Sequence, residues 1–137
     1  MSLLTSPFMN LGLQGKVAMV AAGSKGIGRA VAETLLNEGC KVSVCGRTVD
    51  TLQEVFGGLD DVLTVPCDVT RTEDLERWVG ATLDAFGTPS ILVTNTGGPP
   101  AGALNQKTDD EWQLGVDATL MNVVRLVRQV GPMMAAQ

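Results

Sequence analysis

Lys16-Val-Ala-Met-Val-Ala-Ala22-Gly23-Ser-Lys-Gly26-Ile-Gly28-Arg-Ala30 is the stretch on which the fold turns. After the opening lysine, residues 17–22 are apolar on both faces, as in a strand buried within a parallel sheet. From Ile27 to Asn37 apolar residues fall at 27, 30, 31, 35 and 36, the stripe of a helix, and Gly39 stands where a helix C-terminus is capped. Between strand and helix lies a turn with glycines at 23, 26 and 28. Glycine permits the tight turn, and the missing Cβ lets a ligand approach the backbone. The start of the helix offers free N–H groups and a partial positive charge. These are the properties of a phosphate or pyrophosphate site. The spacing is Gly-x-x-x-Gly-x-Gly, not Gly-x-Gly-x-x-Gly, and it lacks the Gly-Lys-Ser/Thr of a P-loop.

Outward from this unit the alternation repeats. Lys41–Cys45, Val62–Val65 and Ser90–Thr94 read as strands two, three and four. Val49–Phe56 reads as a short helix stopped by Gly57-Gly58. Thr70-Arg-Thr-Glu73 has capping-box spacing and predicts a helix from there to about Phe86. Asn95–Gly102, with Gly97-Gly98-Pro99-Pro100, reads as a loop. Thr108-Asp-Asp-Glu111 is a second capping box, and the last helix is expected from about Asp109 to the end of the chain or near it. In that helix positions 118, 121/122, 125 and 128/129 form a narrow polar stripe. Trp112, Val116, Leu120, Val123, Val124, Leu126, Val127 and Val130 cover most of the rest. A helix so apolar is expected to be buried on two sides, against the sheet and against a partner subunit or further chain.

Repeated strand–helix alternation implies an α/β fold, a doubly wound parallel sheet with right-handed crossovers and helices on both faces. The expected strand order is 3-2-1-4, with the Gly23–Gly28 and Asn95–Gly102 loops at the same carboxyl edge. Residues 13–137 form one domain in this reading, and residues 1–12 a flexible leader.

Composition narrows the function. The 137 residues are 45% apolar and 18% charged, which excludes a disordered chain. Apolar runs of about six residues fall short of the ~18–20 that a membrane span needs. A net charge of −5 argues against a general nucleic-acid surface. The chain has no His and no Tyr, so His-assisted nucleophiles, His-ligated metals and a phenolic acid are all excluded within it. No metal site is expected. Cys40, Cys45 and Cys67 are odd in number and lack CxxC spacing, and they read as buried hydrophobes of a reduced, cytoplasmic protein.

The glycine loop resembles that of the short-chain dehydrogenase/reductase family, and further pieces come in the family's order. Ser43-Val-Cys-Gly46-Arg47-Thr48 is similar to its end of strand two, and Cys67-Asp68-Val69-Thr70 to its end of strand three. Thr94-Asn95-Thr96-Gly97 resembles its Asn-Asn-Ala-Gly segment, and Trp112 to Met133 the long helix after that segment. The resemblance covers residues 13–137 and implies an incomplete Rossmann-like sheet. It also implies hydride transfer between a nicotinamide cofactor and a small-molecule carbonyl or alcohol, with 3-oxoacyl-type reductases among the nearest in pattern.

On this resemblance Gly23, Ser24, Lys25, Gly26, Ile27 and Gly28 form the pyrophosphate loop, and Lys25 within it can approach the same 2′-phosphate as Arg47. Arg47 and Thr48 follow strand two, where an acid would bind a ribose 2′-hydroxyl. No Asp or Glu lies between Cys40 and Val49, and a guanidinium suits a 2′-phosphate, so the implied cofactor is NADP(H). Asp68 would bond the adenine amino group with Val69 beside the ring. Asn95, Thr96 and Gly97 would border the nicotinamide-side ribose. Thr119, seven residues after Trp112, stands where most members carry the Asn of the catalytic tetrad; Asn122 is three positions further on. The family's catalytic Ser and Tyr-x-x-x-Lys are not matched, so no catalytic residue is assigned and the chain is expected to be inactive alone. A homo-oligomer through the last helix is implied, with no nucleic-acid or membrane partner. The alternatives are a non-catalytic nucleotide-binding or interaction module, and a methyltransferase, against which Arg47 argues.

Overall fold

The first strand, β1 (Val17–Val20), is buried along its whole length, as a run apolar on both faces requires. A computed structural model describes residues 10–137, so most of the leader expected at residues 1–12 lies outside the described residues. The elements then alternate: α1 (Gly26–Asn37), β2 (Lys41–Gly46), α2 (Val49–Phe56), β3 (Val62–Pro66), α3 (Thr72–Phe86) and β4 (Ile91–Val93). A 3-10 turn (Leu104–Gln106) leads to α4 (Asp109–Val116), a π-helical segment (Asp117–Met121) and α5 (Asn122–Ala135).

The four strands lie in the order β3-β2-β1-β4, all parallel, as expected. Val17 pairs with Lys41, Ala18 with Ile91 and Val42 with Val62. Side chains alternate between the two faces of the sheet. Ala18, Val20, Val42 and Val44 pack on Ala32 of α1 and on Leu52 and Phe56 of α2. Met19, Cys45 and Val65 pack on Leu75, Trp78 and Val79 of α3 and on Leu126 and Val130 of α5. The sheet is thus covered on both faces, which is what its apolar strands demand.

One polar knot sits in this core. The hydroxyls of Ser43 on β2 and Thr82 on α3 lie 2.7 Å apart, Trp78 Nε1 donates to Ser43 Oγ at 2.8 Å, and Thr82 Oγ1 bonds the Trp78 carbonyl at 2.9 Å. Each buried polar atom of the knot therefore has a partner, as burial requires. Cys40, Cys45 and Cys67 are buried free thiols, in keeping with their reading as small hydrophobes. Burial is the main cause that raises the Cys45 thiol well above its ordinary pKa.

One local expectation is corrected. Thr70 does not cap α3: Arg71 is the N-cap residue, with no side-chain cap, and Thr70 turns back on Asp68. The last helical stretch runs unbroken from Asp109 to Ala135, close to the expected bounds, with the π segment Asp117–Met121 inside it. On it Ala118 and Asn122, two positions of the narrow polar stripe, are buried, while Trp112, Leu120 and Val127 are 51%, 57% and 50% exposed. The capping box at Thr108 forms as expected, with Thr108 Oγ1 accepting from Glu111 N and Glu111 Oε2 accepting from Thr108 N at 2.9 Å.

Candidate functional site

The carboxyl ends of the strands open into a cleft of about 620 Å³. Its floor is the glycine loop. Gly23 N donates to the Cys45 carbonyl at 3.0 Å, which ties the loop to β2. Ala22 takes a left-handed φ of +48°, unusual for a residue with a Cβ. Gly26 has a φ of +52° and opens α1, whose N-cap residue Lys25 makes no side-chain cap. The first N–H groups of α1 are therefore not engaged by a capping side chain, which leaves them available to an anion.

Gly28 is the tight point. A Cβ placed there would press on the Ala22 carbonyl oxygen and stand 2.6 Å from Asn95 Nδ2. That same amide donates to the Ala22 carbonyl at 3.2 Å. Asn95, just past β4, thus ties the far side of the cleft to the glycine loop through space that only a glycine leaves open.

Ser24, Lys25, Gly26 and Ile27 line the cleft, whereas Gly23 and Gly28 shape it from beneath. Arg47 lines it at the end of β2, next to Gly46; Thr48 begins α2 as its N-cap residue and is not in the lining. Lys25 and Arg47 are exposed, and their side chains make no hydrogen bond or ion pair among the described residues. Two cations without a side-chain partner among the described residues therefore line the cleft.

Asp68, Val69 and Thr70 form the wall after β3. Asp68 Oδ1 accepts from Thr70 N at 3.0 Å and from Thr70 Oγ1 at 2.7 Å, and Asp74 Oδ2 accepts from Asp68 N at 2.8 Å. The Asp68 N–H is the largest influence that holds the Asp74 carboxyl below its ordinary pKa, and Arg77 adds to it. Asp68 Oδ2 makes no hydrogen bond among the described residues.

The opposite wall is Asn95, Thr96 and Gly97, continued by Gly98, Pro99 and Pro100. Thr96 Oγ1 accepts from Gly98 N at 3.3 Å. Leu114 and Ala118 close the cleft from α4 and the π segment. Their spacing of four puts them on one helix face, although position 118 reads in the sequence only as part of a polar stripe. Gly115 sits where a Cβ would be 3.2 Å from Pro99 Cβ, so the Gly-Gly-Pro-Pro loop rests closely on α4. Beside it a smaller cavity of about 260 Å³ is bordered by Pro100, Leu104 and Trp112, with the Lys107–Glu111 ion pair at 2.9 Å.

Thr119 is not among the lining residues. It is exposed, and its hydroxyl donates to the Gly115 carbonyl at 2.6 Å. Asn122 is fully buried; its Nδ2 bonds the Ala118 carbonyl, and its Oδ1 has no partner among the described residues.

Comparison with known proteins agrees with this geometry. An uncharacterized oxidoreductase of Staphylococcus saprophyticus is 35% identical over 130 residues, which cover 91% of this chain and 56% of that protein. The L-sorbose reductase of Gluconobacter frateurii, solved with NADPH and L-sorbose, superposes with a TM-score of 0.87 at 34% identity, over 93% of this chain and 51% of that one. The 3-ketoacyl-(acyl-carrier-protein) reductase of Brucella melitensis, solved with NADH, gives a TM-score of 0.82 at 27% identity, over 88% of this chain and 51% of that one. The chain spans about half the length of the curated relatives it matches. The sequence profile of the short chain dehydrogenases matches residues 16–137, and the chain belongs to that family.

Proposed function

We propose that the cleft binds a nicotinamide dinucleotide with preference for NADP(H), as the cofactor half of an oxidoreductase acting on a small-molecule carbonyl or alcohol. The residues present fit that group. Gly28 leaves no room for a side chain, α1 presents an uncapped N-terminus, and Asp68 keeps one carboxylate oxygen free among the described residues. The observation that carries the preference is that two cations without a side-chain partner among the described residues line the cleft, Lys25 in the glycine loop and Arg47 after β2, with no acid between Cys40 and Val49. Arg47 offers a planar fork of donors matched to a phosphate.

In this reading Lys25 and Arg47 hold the 2′-phosphate, Ser24 to Ile27 meet the pyrophosphate, and Asp68 with Val69 receives the adenine. Asn95, Thr96 and Gly97 border the ribose on the nicotinamide side. When bound, the nicotinamide supplies or accepts the hydride. The chain's own residues bind and orient; a phenolic proton donor is not among them, since the sequence has no Tyr. That observation favours a second reading, a nucleotide-binding module without turnover of its own.

Loss of one charge-assisted hydrogen bond costs about 1.5–3 kcal/mol, or roughly ten- to over a hundredfold in affinity. Titration of the chain with NADPH and NADH is expected to favour NADPH, and Arg47→Ala to bring the two together. Equal affinities unchanged by the substitution would sink the assignment. An NADPH oxidation assay with carbonyl substrates separates the two readings.

The wider setting belongs to the same proposal. No helix among the described residues is long and apolar enough to cross a membrane. Three free buried thiols support a reduced, cytoplasmic setting. The exposed apolar side chains of α4 and α5 support association with a second copy.

A further inference from the structure

Arg125 lies on α5, outside the cleft lining, yet its guanidinium joins two walls of the cleft. Its Nη1 donates to the Thr70 carbonyl at 3.1 Å, and its Nη2 donates to Asp117 Oδ1 at 2.9 Å. The two charged side chains keep only 21% and 22% of their surface exposed, so the pair is largely shielded from water. Asp117 opens the π segment between Leu114 and Ala118, which line the cleft, and Gln113 Nε2 donates to its other oxygen at 3.2 Å. At the other end, Thr70 is the residue whose N–H and hydroxyl fasten Asp68 Oδ1.

The links form one chain: Asp117 orients Arg125, Arg125 fixes the Thr70 carbonyl, and Thr70 aims the Asp68 carboxylate. The planar guanidinium serves the carbonyl and the carboxylate from two nitrogens held in a fixed fork, whereas a lysine ammonium would have to meet both from one nitrogen on a flexible stem. We propose that Arg125 is a positioning residue for base recognition: by pinning Thr70 to the π segment it sets the free Asp68 oxygen toward the exocyclic amino group of the nucleotide base. This rests on the reading of the cleft as a dinucleotide site with Asp68 against the adenine.

A merely structural stitch would alter stability and general affinity. A positioning residue alters the choice between bases. The test therefore compares NADPH with its hypoxanthine analogue, which carries a carbonyl oxygen where adenine carries the amino group. The wild-type chain, Arg125→Met, Arg125→Lys and Asp68→Asn are titrated with both nucleotides, with thermal midpoints measured alongside. Wild type is expected to prefer NADPH by about tenfold, the value of one lost hydrogen bond to a charged group. Arg125→Met is expected to lower that preference several-fold, and Arg125→Lys to fall between. With Asp68→Asn already present, Arg125→Met should change the preference no further, the non-additivity of two residues acting as one unit. Retention of the wild-type preference by Arg125→Met, whatever its midpoint, overturns the proposal. Should that variant not fold, the same criterion applies to Arg125→Lys. A wild-type chain that binds NADPH without distinguishing it from the analogue overturns the Asp68 reading and this proposal with it. A wild-type chain that binds neither overturns the dinucleotide site itself.

Discussion

One added methyl group at Gly28 probes the packing of the glycine loop and the identity of the cleft together. At an unobstructed helical position, Gly→Ala stabilises by about 1 kcal/mol. Gly80 in α3 is such a position, with nothing within 4 Å of a Cβ placed there. At Gly28 the Cβ meets the Ala22 carbonyl oxygen and lies 2.6 Å from Asn95 Nδ2. The first obstacle is backbone. The second is an amide that spans the cleft to hold that same carbonyl. Overpacking of this kind costs about 1–3 kcal/mol, and displacing the Asn95 hydrogen bond adds about 1 kcal/mol. Setting the helical gain against these leaves Gly28→Ala destabilised by about 1–3 kcal/mol, a fall in midpoint of roughly 3–10 °C for a domain of this size. Asn95→Ala removes one obstacle and leaves the carbonyl, so the double variant should recover only part of the loss. Urea denaturation of both single glycine variants and the double variant, with NADPH titration of each, measures all of this. Gly28→Ala as stable as Gly80→Ala, with NADPH affinity intact, would refute both the packing argument and the close approach of a pyrophosphate to this turn.

Ser43→Ala should cost about 2 kcal/mol, because it leaves the buried Trp78 indole N–H without its acceptor; an unchanged urea midpoint would count against it. The Thr108 N–H, followed by Lys107, holds the Glu111 carboxyl down to about 2 from an ordinary 4.5. A depressed folded-state value means that the unfolded chain takes up the proton first. Glu111 thus contributes its full stability above pH 4.5 and loses it progressively as the pH falls toward 2. The gap in thermal midpoint between wild type and Glu111→Gln should narrow over that window, and a constant gap would contradict the cap. β4 pairs only with β1 among the described residues, and Trp112, Leu120 and Val127 are exposed, so the 137-residue chain should self-associate. Sedimentation of wild type and of Leu120→Lys combined with Val127→Lys checks this, and a monodisperse wild-type monomer would refute it.

The sheet was legible because β1 is apolar on both faces, β2 carries alternating valines, and each is followed by a glycine-bearing turn and a helix. Strand order followed from the alternation with right-handed crossovers, once the phosphate loop was placed after strand one. The cleft was legible to the extent that its residues sit at strand ends: Lys25, Arg47, Asp68 and Asn95 all reach it. Local competition between polar groups escaped. Thr70 has the right spacing to Glu73 for a capping box, yet Asp68 two residues earlier offers its carboxylate first, and the hydroxyl turns to it. The π segment escaped for a different reason. A helical wheel assumes a constant turn, and the wider turn at Asp117–Met121 shifts the phase of every residue after it. Asn122, read as part of a polar stripe, is buried, while Leu120 and Val127 are half exposed. The Arg125 bridge crosses 55 residues and could not be inferred from either segment separately.

The hydrogen bond from Asn95 to Ala22 joins residues 73 apart in the chain, and β4 meets β1 across a similar interval. Pairing of β1 with β2 closes a far shorter loop. Since closure entropy grows with loop length and non-local contacts delay folding, the seam between β1 and β4 is expected to zip after the β1-β2-β3 side has formed. The cleft lies on that seam. Competence to bind nucleotide should therefore arrive late in refolding, after Trp78 has already been buried between α3 and β2. Ligand added during refolding would then act as a clasp on the last-formed half, slowing its reopening while leaving the early phase untouched. A stopped-flow experiment in which nucleotide binding and Trp78 burial rise together would show that the two sides of the sheet form in one step.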